Sequence, residues 1–531
     1  MRFRKKTSPR RNMVRENISA GRFSQISRSL DLKTINSVLL CLLFVVLSVA
    51  VLSFEMIQQG RYLEIIPVAL MVTGVCMAAV FYIYHYQRRI ITNNARISTL
   101  IGLCILLLVV AKLSFSLTNH THTSWAIGTS VIAAIILTIA YDQRFAIGMS
   151  ILYSVLGCFA AMPMPDINLL LTMMAGIVVC CFSLREIRTR MKLLEVGALT
   201  AGTVLLTSVA LGFLAGSLET GVVLKDAGYN AIAALVASLF IQSILPVIEK
   251  VFGIATSMTL LDYSDASQPL LKRLAMEAPG TFSHGLLVGS IAEAAAESIS
   301  CNGLLCRVGS YYHDIGKINK PGYFVENELG SSSRHKELSP AMSQLIIVGH
   351  VKDGVEMAKE FSLPSVLRQF IESHHGTTLV EYFYHEAKKK QNSKSGKEVA
   401  PSESEFRYAG PKPHTKEAAI VMLADSVEGA IRSMSETTPK KIENVVHSIA
   451  MKRLQDGQFD ECELSLRELS QIEASISKAL AGHYHGRIAY PGQSDGSEET
   501  STQKKSETLG EEQPKTPPEP TEQKADNNYE R

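Results

Sequence analysis

The sequence lacks three common features. Nine cysteines are scattered over 531 residues with no C-x-x-C pair and no framework spacing, so the thiols read as reduced and structural, and a disulfide scaffold is excluded. Neither charge is in excess: 53 Lys and Arg against 50 Asp and Glu leave a net +3, which speaks against a polyelectrolyte that binds a nucleic-acid polymer. No alternating strand pattern is convincing, so the expected class is all-α. The charge that is present lies unevenly. Residues 35–248 hold long apolar runs and most charged residues fall before or after them, as in an integral membrane protein with polar flanks.

Residues 1–34 form a basic tail in which Arg2, Arg4, Lys5, Lys6 and further basic residues meet only Glu16 and Asp31; this reads as an inside-facing topogenic segment. Ile35–Phe54 runs for about 20 residues without a charge, enough to cross a bilayer. It has no small-residue cleavage site and more spans follow, so an anchor helix is expected and not a removed signal peptide. Further spans are expected at about 65–85, 97–117, 125–141, 145–163, 167–184, 197–217 and 229–248, eight in all, unless the short break at Tyr141–Arg144 is a re-entrant turn. Loops after the second, fourth and sixth spans carry Arg88, Arg89 and Arg96, then Arg144, then Arg185, Arg188, Arg190 and Lys192. The alternate loops carry only Arg61 and Lys225, which places both ends of the membrane unit in the cytoplasm. Lys112 lies within the third span near its outer end, where it is either a functional group or a snorkelling one. The spans show no paired Gly/Pro-broken helices and no acidic chain, which weakens a transporter reading. Asn119-His120-Thr121 fits a glycosylation acceptor, a tripeptide short enough to arise by chance.

Everything after about residue 249 is then cytosolic: a linker or stalk at 249–279, a helical domain at 280–490, and a polar, disordered tail at 491–531. Helical patterns recur at 286–299, 304–317, 339–360, 363–375, 415–434, 440–454 and 463–481. The domain is organised around Val308–Lys320, V-G-S-Y-Y-H-D-I-G-K-I-N-K. Its centre is the adjacent pair His313-Asp314, in an apolar setting that would bury neither group without a partner, and a metal ion is the natural one. Other helical stretches offer His284, His350, the doublet His374-His375, and Asp425. Each alone reads as well as a hydrogen-bonded core residue. Five histidines and two aspartates on separate helices of one small domain do not, because burying so many titratable groups without metal is costly, whereas seven ligands suit two ions.

The order H…HD…H…HH…D, with the stretches Y-Y-H-D-I-G-K, S-P-A-M-S-Q-L-I-I-V-G-H-V-K-D-G and F-R-Y-A-G-P-K-P-H-T-K-E-A-A-I-V-M-L-A-D-S-V-E, resembles the HD hydrolases of the seven-transmembrane HD family. The likeness is strong over about residues 200–490 and rests on hydropathy elsewhere. It implies a polytopic membrane bundle in the cytoplasmic membrane followed by a cytosolic all-helical HD phosphohydrolase domain. It implies that His284, His313, Asp314 and Asp425 hold one metal and that Asp314, His350, His374 and His375 hold the other, with Asp314 bridging. The ions would be iron or manganese, divalent or mixed-valence. The implied activity is hydrolysis of cyclic di-AMP to linear 5′-pApA by a hydroxide that two metals activate, for second-messenger turnover at the membrane.

Lys317, one turn after His313, would reach a phosphate oxygen, and the loop with Arg407, Tyr408, Lys412 and Lys416 would contact base or phosphate; both read equally well as solvated. His335, His385 and His414 receive no role. The alternatives are a membrane receptor that binds a cyclic nucleotide without cleaving it, transport through the spans, and an HD hydrolase of another nucleotide such as cyclic di-GMP. The cyclic di-GMP subclass adds G-Y-P after its histidine doublet, where this sequence has Gly376-Thr377-Thr378-Leu379. One departure from the family is plain: its members usually carry a large extracellular domain after the first span, whereas here only Glu55–Glu64 joins the first two, too short to fold. Lys388–Lys397 reads as a mobile insertion. The expected partners are a cyclic dinucleotide and the lipid bilayer; no nucleic-acid polymer is expected, and homo-oligomerisation is left open.

Overall fold

The computed structural model describes residues 32–485, except 92, 118–123, 162–165, 185–186, 217–218, 329–333, 394–400 and 435. The basic N-terminal tail, the Asn119–Thr121 tripeptide, the end of the Lys388–Lys397 stretch and the polar C-terminal tail lie outside the described residues.

Apolar runs without charges become helices because the backbone can satisfy its own hydrogen bonds while the side chains face lipid or one another. Eight such helices make up the first half: α1 (Leu32–Leu52), α2 (Ile65–Tyr86), α3 (Asn94–Leu117), α4 (Ser124–Ala140), α5 (Gln143–Ala161), α6 (Ile167–Ser183), α7 (Arg190–Leu214) and α8 (Thr220–Phe252). Six are long and apolar enough to cross a membrane, while α4 and α6 have 17 residues each. α4 is the most enclosed, packed against α5, α6 and α8, and nearly all of its side chains are buried. The break at Tyr141–Arg144 is a short turn between α4 and α5.

Polar contacts between the helices are few and specific. Ser124 on α4 donates to Asn230 on α8 at 2.7 Å, and Asn230 donates to Ser208 on α7 at 3.1 Å. Lys112 is held in an ion pair with Glu55, at 3.0 Å, and Ser116 donates to the same carboxylate at 2.9 Å. The lysine of the third span therefore ties α3 to the short helix Phe54–Gln58 that follows α1.

α8 stops at Gly253, whose φ of +64° is the left-handed cap position that glycine occupies without strain. The Glu249 carboxylate then accepts from the Thr256 amide at 2.7 Å and the Thr259 hydroxyl at 2.8 Å, turning the chain into α9 (Ser257–Ser264). The Met258 amide donates to the Ile187 carbonyl at 2.9 Å, pinning α9 to the α6–α7 connection.

The second half is entirely helical among the described residues, apart from one isolated bridge between Leu379 and Arg407. Its α-helices are α10 (Pro269–Glu277), α11 (Pro279–Ser298), α12 (Gly303–Tyr312), α13 (Pro340–Glu360), α14 (Ser365–Ser373), α15 (Glu381–Ser393), α16 (Lys416–Arg432), α17 (Pro439–Gln455) and α18 (Leu466–His485). Starts are marked by proline in the first turn of α10, α11, α13 and α17 and by side-chain caps from Asn302, Ser339, Thr415 and Thr438. α16 is the central helix. Residues 418–424, Val427 and Ile431 are buried in it, against α11, α17 and α18. Leu260, Leu270, Leu271 and Leu274 join a second core with Val308, Tyr312, Leu367 and Ile371, so the segment expected as a linker is packed into this domain.

Candidate metal centre

α12 ends at Tyr312, and the chain tightens into a 3₁₀ turn over Ile315–Asn319 instead of continuing to residue 317 as its periodicity predicts. Gly316 is the reason. A Cβ there would overlap the His350 carbonyl oxygen and lie 2.5 Å from the Gly354 amide nitrogen, so only glycine lets this turn press on α13. The contact brings His313 and Asp314 beside His350. α14 delivers His374 and His375 at its C-terminal end, α11 delivers His284, and α16 delivers Asp425.

The seven side chains converge in two sets, His284, His313, Asp314 and Asp425, and Asp314, His350, His374 and His375, each with its ligand atoms within 4.8 Å of one another. Asp314 belongs to both. His313 is fully buried, and Asp314, His284, His350 and His374 are each no more than 5% exposed.

The imidazoles share an orientation. Nδ1 of His313 donates to the Ser310 carbonyl at 2.6 Å, Nδ1 of His350 donates to Ile347, and Nδ1 of His374 donates to Phe370 and Ile371 at 3.0 Å. His284 Nδ1 donates to Glu428 at 2.6 Å. That leaves Nε2 as the inward nitrogen on all four rings, an arrangement typical of metal-ligating histidines whose outer nitrogen is fixed by an acceptor.

The inner atoms fit an ion better than each other. His350 Nε2 and His374 Nε2 point together at 3.2 Å, where two lone pairs cannot bond. His313 Nε2 and Asp314 Oδ1 are buried without a hydrogen-bond partner, although Asp314 Oδ1 lies 3.3 Å from His350 Nε2 and 3.5 Å from His374 Nε2. The mixed imidazole and carboxylate donors suit borderline divalent metals such as iron, manganese or zinc.

The electrostatics agree. Burial acts against charge on Asp314, but His313 and Lys317 outweigh it and hold the carboxyl well below the usual range. Burial likewise opposes ionisation of Asp425, and His284 and His313 overcome it. Burial depresses His374, and burial with the neighbouring His374 depresses His375 further, so both imidazoles are neutral at neutral pH. His313 is the opposite case: burial would lower it, yet the facing Asp314 and Asp425 raise it to about 10.

Three residues around the ligands carry weight that sequence reading missed. Glu428 is buried and orients His284; it stands three residues after Asp425 in A-D-S-V-E, on the same face of α16, which was the available signal. Glu326 accepts from Lys317 at 2.6 Å, while Lys317 also lies 2.8 Å from Asp314. Lys317 is thus a buried ammonium clamped beside the shared carboxylate. Arg453 on α17 donates to Ser426, next to Asp425, at 3.1 Å.

The loop residues named as substrate contacts divide. The Tyr408 ring stacks on His375 with centroids 4.2 Å apart. Arg407 is engaged by Glu403, by Asp456 at 2.9 Å and by the Thr377 carbonyl at 2.8 Å. Lys412 lies 3.6 Å from Asp460, and Lys416 pairs with Glu468. Of the histidines without a role, His335 donates from Nε2 to the Tyr323 carbonyl at 2.8 Å, and His414 pairs with Glu461 at 3.0 Å.

A buried HD pair whose aspartate is common to two candidate ligand sets, on an all-helical domain that follows a membrane helix bundle, defines an HD-domain membrane protein. Residues 62–256 match the sequence model of the 7TM receptor with intracellular HD hydrolase, and residues 281–430 match that of the HD domain. The chain thus resembles the seven-transmembrane HD family in its membrane half and the HD domain in its second half. It is 44% identical over 262 residues to the cyclic-di-AMP phosphodiesterase PgpH of Bacillus subtilis (strain 168), covering 49% of this chain and 36% of that protein. It is 42% identical over 270 residues to PgpH of Listeria monocytogenes serotype 1/2a, covering 50% of this chain and 36% of the relative. The matched segments thus span about a third of the length of these curated relatives. Among solved structures, the HD domain of L. monocytogenes PgpH is 44% identical, with a TM-score of 0.39 over 41% of this chain and 100% of that one. A second structure of that domain holds cyclic-di-AMP, with the same identity and TM-score over the same shares of the two chains.

Proposed function

We propose that this protein is a metal-dependent phosphodiesterase that hydrolyses cyclic di-AMP to linear 5′-pApA at the cytoplasmic membrane. The observation that carries the proposal is the sharing of buried Asp314 between two four-residue ligand sets. The identity to proteins named cyclic-di-AMP phosphodiesterase supports the substrate. The alternation of basic loops supports an HD domain and N-terminus on the cytoplasmic side.

His284, His313, Asp314 and Asp425 would hold one ion and Asp314, His350, His374 and His375 the second; the donor set permits iron or manganese without selecting them. Bound there, two ions supply Lewis acidity toward the phosphoryl oxygens and lower the pKa of a water. The protein's own groups do the rest. Glu428 and the backbone carbonyls of Ser310, Ile347 and Phe370 hold the four imidazoles with Nε2 turned toward the site before any ion arrives. Lys317 keeps Asp314 ionised, and Glu326 keeps Lys317 in place and offsets its charge. Tyr408, stacked on His375, offers an aromatic edge of the site to a base.

The test is incubation of the full chain, loaded with manganese or iron, with cyclic di-AMP and with cyclic di-GMP in separate reactions followed by chromatography. Formation of pApA from the first and little product from the second supports the reading. Equal cleavage of both would remove the base preference, and tight binding of either without product would replace the hydrolase with a receptor.

A further inference from the structure

Arg453 stands in the last turn of α17, and its surroundings differ from those of Arg407. The Arg407 guanidinium spends its donors on Glu403, Asp456 and the Thr377 carbonyl. Arg453 has one neutral side-chain partner: Nη2 donates to the Ser426 hydroxyl at 3.1 Å, and Ser426 in turn donates to the Met422 carbonyl at 2.8 Å. Its Nε is buried with no hydrogen-bond partner. Among the described residues, no carboxylate forms an ion pair with it.

A half-buried guanidinium whose Nε is shut away from water without an anion is an expensive group to keep. Its placement says which anion relieves it. Ser426 adjoins the ligand Asp425 on α16, so the hydrogen bond fixes the cation at the edge of the ligand cluster. Burial presses the Arg453 pKa down, and the nearby charges of Asp425, Glu381 and Asp456 oppose that pressure without any of them reaching bonding distance. Tyr408, the ring stacked on His375, belongs to the same electrostatic neighbourhood. The cation thus lies near enough to act electrostatically on both Asp425 and Tyr408.

We propose that Arg453 is an anion-binding residue of this site and receives a non-bridging oxygen of a phosphodiester, with the free Nε–H as one of its donors. The assignment of the anion to a cyclic dinucleotide rests on the function proposed above; the anion site itself rests on the arginine. Arg407, by contrast, is a structural residue that ties the loop before cis-bonded Pro411 to the α17–α18 turn.

The experiment uses the full chain in detergent, wild type and the variants R453Q, R453K and R407Q, each with its bound metal counted. Two readouts are taken: KM and kcat for cyclic di-AMP, and the rise in unfolding temperature caused by inorganic phosphate. The expected R453Q protein keeps the wild-type metal content, has a KM raised about ten- to hundredfold as for loss of a charged hydrogen bond, and loses most of the phosphate response. R453K, which keeps the charge but not the planar fork, is expected to fall between. R407Q is expected to unfold at lower temperature and to keep the wild-type phosphate response. Wild-type KM and phosphate response in R453Q would overturn the proposal, as would loss of metal from that variant, which would make Arg453 a support for Asp425. If R453Q does not fold, R453K decides by the same two readouts. If the wild type does not cleave cyclic di-AMP, the proposed function falls, and the phosphate response of R453Q alone keeps or removes the anion site.

Discussion

Replacing Gly316 with alanine tests how the two ligand sets are held together. The added Cβ would overlap the His350 carbonyl oxygen and fall short of ordinary contact with the Gly354 nitrogen by roughly 1 Å, 2.5 Å against 3.4 Å. Nothing on the Gly354 side can yield except backbone, and a Cβ on Gly354 would itself meet Ile371 at 2.8 Å. The turn and α13 must therefore part, and overpacking of this kind costs about 1–3 kcal/mol or more. His350 moves with α13, so the loss is not confined to stability. The set Asp314, His350, His374 and His375 is expected to open and hold its ion more weakly, while His284, His313 and Asp425 are disturbed less. Thermal unfolding with and without manganese, with metal counted by mass spectrometry, gives both quantities. A G316A protein that unfolds at the wild-type temperature and retains two ions would refute the packing argument.

Other outcomes follow from the same geometry. D314A is expected to lose both ions, and H375A only one, by metal counting on purified protein, because Asp314 alone serves both sets. E428Q weakens the acceptor on His284 Nδ1 and should lower metal affinity about 10- to 100-fold in a chelator competition, with little change in secondary structure. Glu468 is held at about 2, below its ordinary 4.5, first by its hydrogen bond from Lys416. Its contribution is therefore present above about pH 4.5 and lost as pH falls from there toward 2, so the difference in unfolding temperature between wild type and E468Q should shrink over that interval. A difference that does not change with pH would mean that the pair does not stabilise the fold. Q458A removes the buried amide that accepts from the Thr377 nitrogen at 2.9 Å, and is expected to cost about 1–3 kcal/mol in denaturant unfolding.

Much of this was legible in the chain. The apolar runs fall within a few residues of the first six helices, because an apolar run has few alternatives to helix in a membrane, while α7 and α8 begin seven and nine residues before the expected 197 and 229 and carry charged residues there. The seven residues that the structure brings together could be named because His and Asp at the edges of apolar helices are conspicuous. The partners that set their roles were harder to see. Lys112 looked like a lone intramembrane charge because Glu55 lies in another element. Arg407, set among glycine and proline, looked free to meet a ligand, but Asp456 is 49 residues away in sequence and closes on it only in the fold. Helical periodicity carried α12 through residue 317 because Gly316 leaves the pattern unbroken; what ends the helix is the backbone of α13.

The central claim is that both ligand sets act together on a cyclic dinucleotide. The most direct measurement titrates the metal-free full chain with manganese while bound ions and cleavage of cyclic di-AMP are followed in the same sample. The account predicts that pApA formation rises with the second ion and levels off at two per chain. Full turnover with one ion, or two ions bound with no cleavage, would contradict it.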